Sequence, residues 1–245
     1  MSKMLFFYHQ PFAAGELFSG RLAPMIESIR KSIPQEEFDY QTLLVALGDY
    51  ARPRDKISDL ISKGIIIRVK KGLYVFGNGA RQTPYSTEIL ANLIYGPSYV
   101  SLDYALQHYG LIPERVEGVT SVTTGRSRNF LTPVGLFIYR MIPLRAFQIG
   151  MDRIEIGDGR AFLIATPEKA LADKIYEDRG TGLHTQKELG DYLERNLRVD
   201  LAGVREMNPD DLDAIASRYR SQKIRALGRL VRRMHRGTAK GKPHA

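Results

Sequence analysis

Two kinds of residue in this sequence have the types and spacing for chemistry: carboxylates able to hold a metal, and basic side chains able to hold an anion. Asp211-Leu212-Asp213 sets two carboxylates one residue apart, as a nucleotidyl-transfer site would need for catalytic Mg²⁺. No Gly-Ser helix start stands upstream in a strand context, and Asn208-Pro209 just ahead makes the pair an acidic first helical turn. A nucleic-acid-processing enzyme resting on Asp211 and Asp213 is thus a weak third reading. His9, His108, His184, His235 and His244 lack metal-ligand spacing, and the absence of Cys excludes thiolate zinc sites, iron–sulfur clusters, disulfides and Cys nucleophiles. Gly77-Asn78-Gly79 and Gly157-Asp158-Gly159 read as turns rather than phosphate-cradling loops, and no Gly-x-Ser-x-Gly elbow occurs. The expectation is a protein that is not an enzyme and needs no metal or cofactor.

The basic side chains are more informative. The chain carries 36 Lys and Arg against 27 Asp and Glu, net +9, and the excess sits at the two ends. Residues 1–85 are net +4, residues 86–179 net −1 and residues 180–245 net +6. Between 52 and 81, eight basic groups face only Asp55 and Asp59, and beyond Asp213 ten basic residues follow with no acidic one. Charge gathered in this way points to a polyanionic partner, nucleic acid being the commonest. A solvated basic face is the alternative.

These groups need elements to aim them. Leu22, Met25, Ile26 and Ile29 follow helical spacing up to Pro34. Asp39 is a candidate N-cap for a second helix carrying Leu43, Leu44 and Leu47, closed by Gly48. Pro53 opens a third, with Ile57, Leu60 and Ile61 on one face and Gly64 at its end. Residues 65–76 then turn β-branched and aromatic around Lys70-Lys71-Gly72, the pattern of a hairpin. Three helices and a hairpin give the order of a winged helix-turn-helix over residues 38–80, behind an arm and first helix at 1–37. Its third helix would enter the major groove, with Arg52, Arg54, Lys56, Ser62 and Lys63 on the reading side, and Arg68, Lys70 and Lys71 of the wing on the neighbouring backbone. Asp55 and Asp59 on that face repel phosphate unless they pair internally.

Residues 80–85 are polar and read as a connection to a second domain over 85–236. Ser86 and Ser101 are candidate caps of two helices, the second closed at Gly110; Thr166-Pro167 opens another, in which Glu168 and Asp173 read as fold-specifying. Short β-rich runs at 116–124, 136–142, 153–156 and 161–164 imply antiparallel strands, and helices near 187–196, 210–219 and 221–236 close the domain. The fold class is α+β, with a basic tail at 237–245 expected to be disordered. Arg126 and Arg128 beside Gly125 are candidates for clamping phosphate. On the last helix, Ile224, Leu227, Leu230, Val231 and Met234 share one face, and Arg225, Arg229, Arg232, Arg233 and Arg236 form a comb on the other. Such a comb could hold a nucleic-acid backbone or an acidic partner. No apolar run approaches the ~20 residues that cross a bilayer and no signal-peptide pattern opens the chain, so a cytoplasmic protein without a membrane partner is expected.

Four segments carry a resemblance. They are Tyr99-Val100-Ser101-Leu102-Asp103-Tyr104-Ala105-Leu106; Tyr109-Gly110-Leu111-Ile112-Pro113-Glu114; Val119-Thr120-Ser121-Val122-Thr123 followed by Arg126 and Arg128; and Thr166-Pro167-Glu168-Lys169-Ala170-Leu171-Ala172-Asp173. In this order, behind the predicted winged helix, they resemble the AbiEi family, the antitoxins of abortive-infection type IV toxin–antitoxin systems, over roughly residues 38–180. The resemblance implies a phage-defence protein that represses its own promoter by binding inverted repeats. It also implies a C-terminal domain that counteracts a nucleotidyltransferase-like toxin encoded next door, and leaves open whether the toxin is touched directly. A plain site-specific DNA-binding regulator without a toxin is the alternative.

Overall fold

A computed structural model describes residues 22–48, 50–157, 159–178 and 185–239. The chain divides into two compact units, Met1–Tyr85 and Ser86–Ala245, of α+β architecture. No helix among the described residues is long and apolar enough to cross a membrane.

The N-terminal unit runs α1 (Leu22–Ser32), β1 (Glu37–Asp39), α2 (Tyr40–Ala46), α3 (Pro53–Ser62), β2 (Ile66–Lys70) and β3 (Leu73–Phe76). The three strands pair antiparallel in the order β1-β3-β2. Its core joins Ile26, Ile29 and Ile33 of α1 and the segment after it to Leu43, Leu47, Ile57, Leu60, Ile66 and Phe76. Since α1 helps fill this core, it belongs to the same unit as the helices and hairpin after it, and the expected boundary at residue 38 falls. The strand β1 was not expected either: three residues are too few to show a period. Gly48 follows the C-cap Leu47 at the expected C′ position, but it does not take the left-handed turn expected of a closing glycine.

A buried ion pair finishes this unit. Arg30 and Glu36 are 6% and 1% exposed at the side chain and meet at 3.1 Å, and the guanidinium lies over the Phe76 ring. Glu36 Oε1 also accepts from the backbone N–H of Gln82 and Thr83 at 3.0 and 2.9 Å. The polar stretch read as the connection is thereby tied to the N-terminal unit at residues 82–83.

The C-terminal unit begins with α4 (Thr87–Ile94), β4 (Ser98–Val100) and α5 (Leu102–His108), followed by β5 (Val119–Thr123), β6 (Arg128–Thr132) and β7 (Gly135–Met141). Then come α6 (Leu144–Phe147), β8 (Met151–Gly157), β9 (Arg160–Ala165) and α7 (Pro167–Glu177). The helical end comprises α8 (Gln186–Asp191) with a π turn at Tyr192–Asn196, α9 (Leu201–Glu206), α10 (Pro209–Tyr219) and α11 (Gln222–Ala239). The six strands form one sheet, β6-β7-β5-β4-β9-β8. The outer pairs and β4–β5 are antiparallel, as the expectation of several antiparallel strands has it, while β5 runs parallel to β7 and β4 parallel to β9. Parallel pairing needs crossovers: β5 reaches β7 through the edge strand β6, and β4 is joined to β9 by α5, β5–β7, α6 and β8, pairings that local patterning does not reveal. Centrally, β4 and β5 are buried along their whole length, whereas the edge strand β8 is exposed at nearly every position. Helix α7 packs on β9 and α5, and carries α10 and α11 on its outer side. Helix α11 continues through Ala239, so residues 237–239 are helical where a disordered tail was expected to begin; residues 240–245 lie outside the described residues.

Candidate nucleic-acid interface

Local chemistry sets both ends of α3. Pro53 occupies the first turn, Asp55 adds an acid there, and Gly64 at φ 67° takes the left-handed turn that ends the helix. Ile57 and Leu60 are buried against the core, which turns Arg54, Asp55 and Ser58 to solvent. The hairpin turns at Lys71-Gly72, with Gly72 at φ 84°. Its turn end is held from the other side, because Asp39 in β1 pairs with Leu73 and the Tyr40 N–H donates to the Gly72 carbonyl at 3.0 Å. Asp39 itself caps α2, accepting from Thr42 N–H at 2.8 Å, and these backbone bonds hold its carboxyl below the ordinary aspartate range.

Between α3 and the hairpin lies a groove of about 560 Å³ lined by Arg54, Arg68, Lys71, Tyr40, Ile57 and Tyr74. Three of the eight expected contact residues thus converge on one concavity, and none of Arg54, Arg68 and Lys71 makes an ion pair with a described residue. Lys70 points outward on the same hairpin and is exposed. Three others, Lys56, Ser62 and Lys63, are engaged by the helix itself. Lys56 and Lys63 both reach Asp59, at 3.1 and 2.6 Å, and Lys63 with Lys56 keeps that carboxyl below its usual pKa. The repulsion expected from Asp59 is neutralised internally in this way, but at the expense of two lysines assigned to phosphate. The Ser62 hydroxyl donates to the Asp59 carbonyl at 2.8 Å rather than facing outward unengaged. Arg52 is exposed at the helix N-cap, 4.0 Å from Asp55.

The surfaces of the C-terminal unit look different from what the sequence suggests. Arg126 and Arg128 are both exposed, Arg128 with its guanidinium 5.6 Å from the centre of the Tyr95 ring, and a side chain at Gly125 would collide with the Tyr95 hydroxyl. On α11 the apolar face is buried as expected, and Arg225, Arg229, Arg233 and Arg236 are exposed. Arg232 leaves the comb: it bridges Asp210 at 2.7 Å and Asp213 at 2.5 Å on α10. Asp213, half of the pair weighed for a metal, is thereby committed to a guanidinium. The helices approach closely enough there that a Cβ on Gly228 would lie 2.7 Å from Asp213.

The motifs of residues 99–106 and 166–173 meet in the interior. Lys169 and Asp173 are wholly buried and ion-paired one turn apart on α7. Asp173 also accepts from the Tyr219 hydroxyl and, at 2.7 Å, from Ser101 Oγ. Ser101 stands at the N-cap of α5 but makes no side-chain cap bond, so the expected capping role is corrected: its hydroxyl is drawn to the buried carboxylate. Thr120 of β5 replaces it, accepting from the Tyr104 N–H at 3.0 Å and donating to the Ser101 carbonyl at 2.6 Å. Thr166 does cap α7, and Glu168 accepts from the Asn208 N–H at 3.0 Å ahead of α10. Burial pushes the Lys169 pKa below its usual value, against the pull of Asp173, and raises that of Tyr219. The signal available in the sequence was the spacing Lys169/Asp173 around Ala170, Leu171 and Ala172, an i, i+4 ion pair set into apolar residues.

A scan against protein-family models gives no match to this chain, and a search of curated proteins gives none.

Proposed function

We propose that this chain is a DNA-binding autorepressor and antitoxin of the AbiEi type. The observation that carries the DNA-binding part is the groove between α3 and the hairpin, where Arg54, Arg68 and Lys71 converge with no acidic residue among the described ones lining it. In a winged-helix mode of docking, α3 enters the major groove from its N-terminal end. Arg54 then meets base edges or phosphates, while Arg68, Lys70 and Lys71 contact the adjoining backbone. Asp59, paired with Lys56 and Lys63, presents no net repulsion. Support for the antitoxin part comes from the four ordered motifs. Two of them are joined by the Ser101–Asp173 bond across 72 residues, so they act as parts of one interior rather than as separate sites.

The neighbouring gene, induced alone in a naive host and then together with this chain, separates the two readings. Growth arrest relieved by this chain is the expected result. Absence of arrest, with both proteins expressed, leaves the plain regulator, which the DNA upstream of the gene then tests by gel shift.

A further inference from the structure

Two clefts in the C-terminal unit contrast in charge. One, of about 790 Å³, contains Arg140 but neutralises it, since the guanidinium lies 3.2 Å from Glu177. The other, of about 490 Å³, is lined by Arg145, Arg218 and Arg220 with Ser217, Ile149 and Ala214, and no carboxylate among the described residues lines it. None of these three arginines makes an ion pair with a described residue. All three are exposed, and one is held in place: Arg145 Nε donates to the Arg218 carbonyl at 2.6 Å, one of the acceptors left over at the end of α10. Arg220 ends that helix in the left-handed region, at φ 54° and ψ 39°. Glycine or asparagine is the low-cost residue at such a position, and nothing in the capping geometry calls for a guanidinium. A strained backbone that carries a charge into a cleft already holding two like charges is the kind of arrangement an anion would repay.

We infer that this cleft is a phosphoryl-binding site. Arg145, Arg218 and Arg220 clamp the phosphate oxygens, Ser217 Oγ donates to one of them, and Ile149 with Ala214 offers an apolar wall to the attached sugar or base. The phosphate belongs either to a free nucleotide or to a nucleic-acid strand. The site lies in the C-terminal unit and stands independently of the groove beside α3.

The test uses the full chain bearing Arg54→Ala, Arg68→Ala and Lys71→Ala, which removes the first groove, and titrates it with pyrophosphate by calorimetry. Saturable binding is expected, weakened at least about tenfold by Arg145→Gln and by Arg220→Gly, each removing charge-assisted hydrogen bonds. Arg220→Gly at the same time relieves the left-handed residue, so its Tm should rise by about 2–4 °C while binding falls. A loss of binding together with a gain in stability cannot come from unfolding. Arg195→Gln, which removes one exposed charge elsewhere, should leave the affinity unchanged. Tighter binding of ATP than of a 5′-phosphorylated tetranucleotide identifies the free nucleotide, and the reverse order identifies a strand. No saturable pyrophosphate binding, or equal weakening by Arg195→Gln, overturns the site.

Discussion

Asp59–Lys63 on α3 and Lys169–Asp173 on α7 are the same two residue types at the same i, i+4 spacing, one in each unit. The first pair is 35% and 41% exposed at the side chain, the second 0% and 0%. In water such a pair contributes little, and its effect at the surface is to cancel the charge of Asp59 locally. In the interior neither charge can stand alone, so the pair also draws in Ser101 and Tyr219 to occupy the remaining lone pairs of Asp173. Spacing alone therefore does not tell a solvent-facing pair from a buried structural lock. The distinction lies in what stands between the two charges: Leu60, Ile61 and Ser62 pass from buried to exposed between Asp59 and Lys63, whereas Ala170, Leu171 and Ala172 are all buried between Lys169 and Asp173.

The sharpest way to break this contrast is at Asp173. Asp173→Ala strands the Lys169 ammonium in the core and should cost about 3–5 kcal/mol in denaturant unfolding. The double variant Lys169→Met/Asp173→Leu should recover most of that loss. If the double is as unstable as the single, the bonds to Ser101 and Tyr219 rather than the ion pair hold the interior together.

Next in size is the groove itself. Arg54→Ala, Arg68→Ala and Lys71→Ala together should weaken duplex binding at least about a hundredfold and reduce the slope of log affinity against log salt by about three. Unchanged affinity and slope would make the groove a solvated face.

Glu88 is an intermediate case, a half-buried carboxylate at the start of α4. Burial works against its charge, but hydrogen bonds from Tyr104 at 2.5 Å and Ser86 at 2.7 Å outweigh it and bring the pKa below 4.5, while Tyr104 is pushed up to about 12 by burial and by this bond. A carboxylate whose folded-state pKa is depressed stabilises the fold above its unfolded value, and that contribution disappears as pH falls through the folded value. Wild type should therefore be more stable than Glu88→Gln at neutral pH, with the gap closing below pH 4.5. A gap independent of pH would assign the difference to packing.

The smallest effect belongs to the surface pair. Asp59→Asn should release Lys56 and Lys63 towards phosphate and tighten non-specific duplex binding by about two- to fivefold at low salt, an advantage that salt erases. The Tm should move by less than about 2 °C. Weaker binding would show that Asp59 positions the two lysines rather than restraining them.

What the sequence discloses follows the range of the interactions involved. Pro53, Gly64, Gly72, Asp39 and Thr166 act within one turn, and the elements they bound appear where their types predict. Ser101 has the type and place of a cap, yet its hydroxyl bonds a carboxylate 72 residues away. Arg232 has the period of a comb and is drawn to Asp210 and Asp213, 22 and 19 residues earlier. The strands β1 and β4 span three residues each, too short for alternation to emerge, and β6 is half exposed on the sheet edge. Arg54, Arg68 and Lys71 were legible as basic residues of α3 and the hairpin; that these three line one groove depends on the register of β2 against β3 and on β1 behind them.

The two ends of the six-stranded sheet set how this protein will behave at high concentration. At one end β8 carries Asp152, Arg153 and Glu155 and a bulge before Gly157, devices that discourage a second strand from adding. At the other, β6 presents Leu131 with 87% of its surface in water and one uncharged neighbour on each side, Phe130 and Thr132. Self-association during overexpression would thus begin at β6, and a lysine at position 131 is the simplest remedy for aggregation.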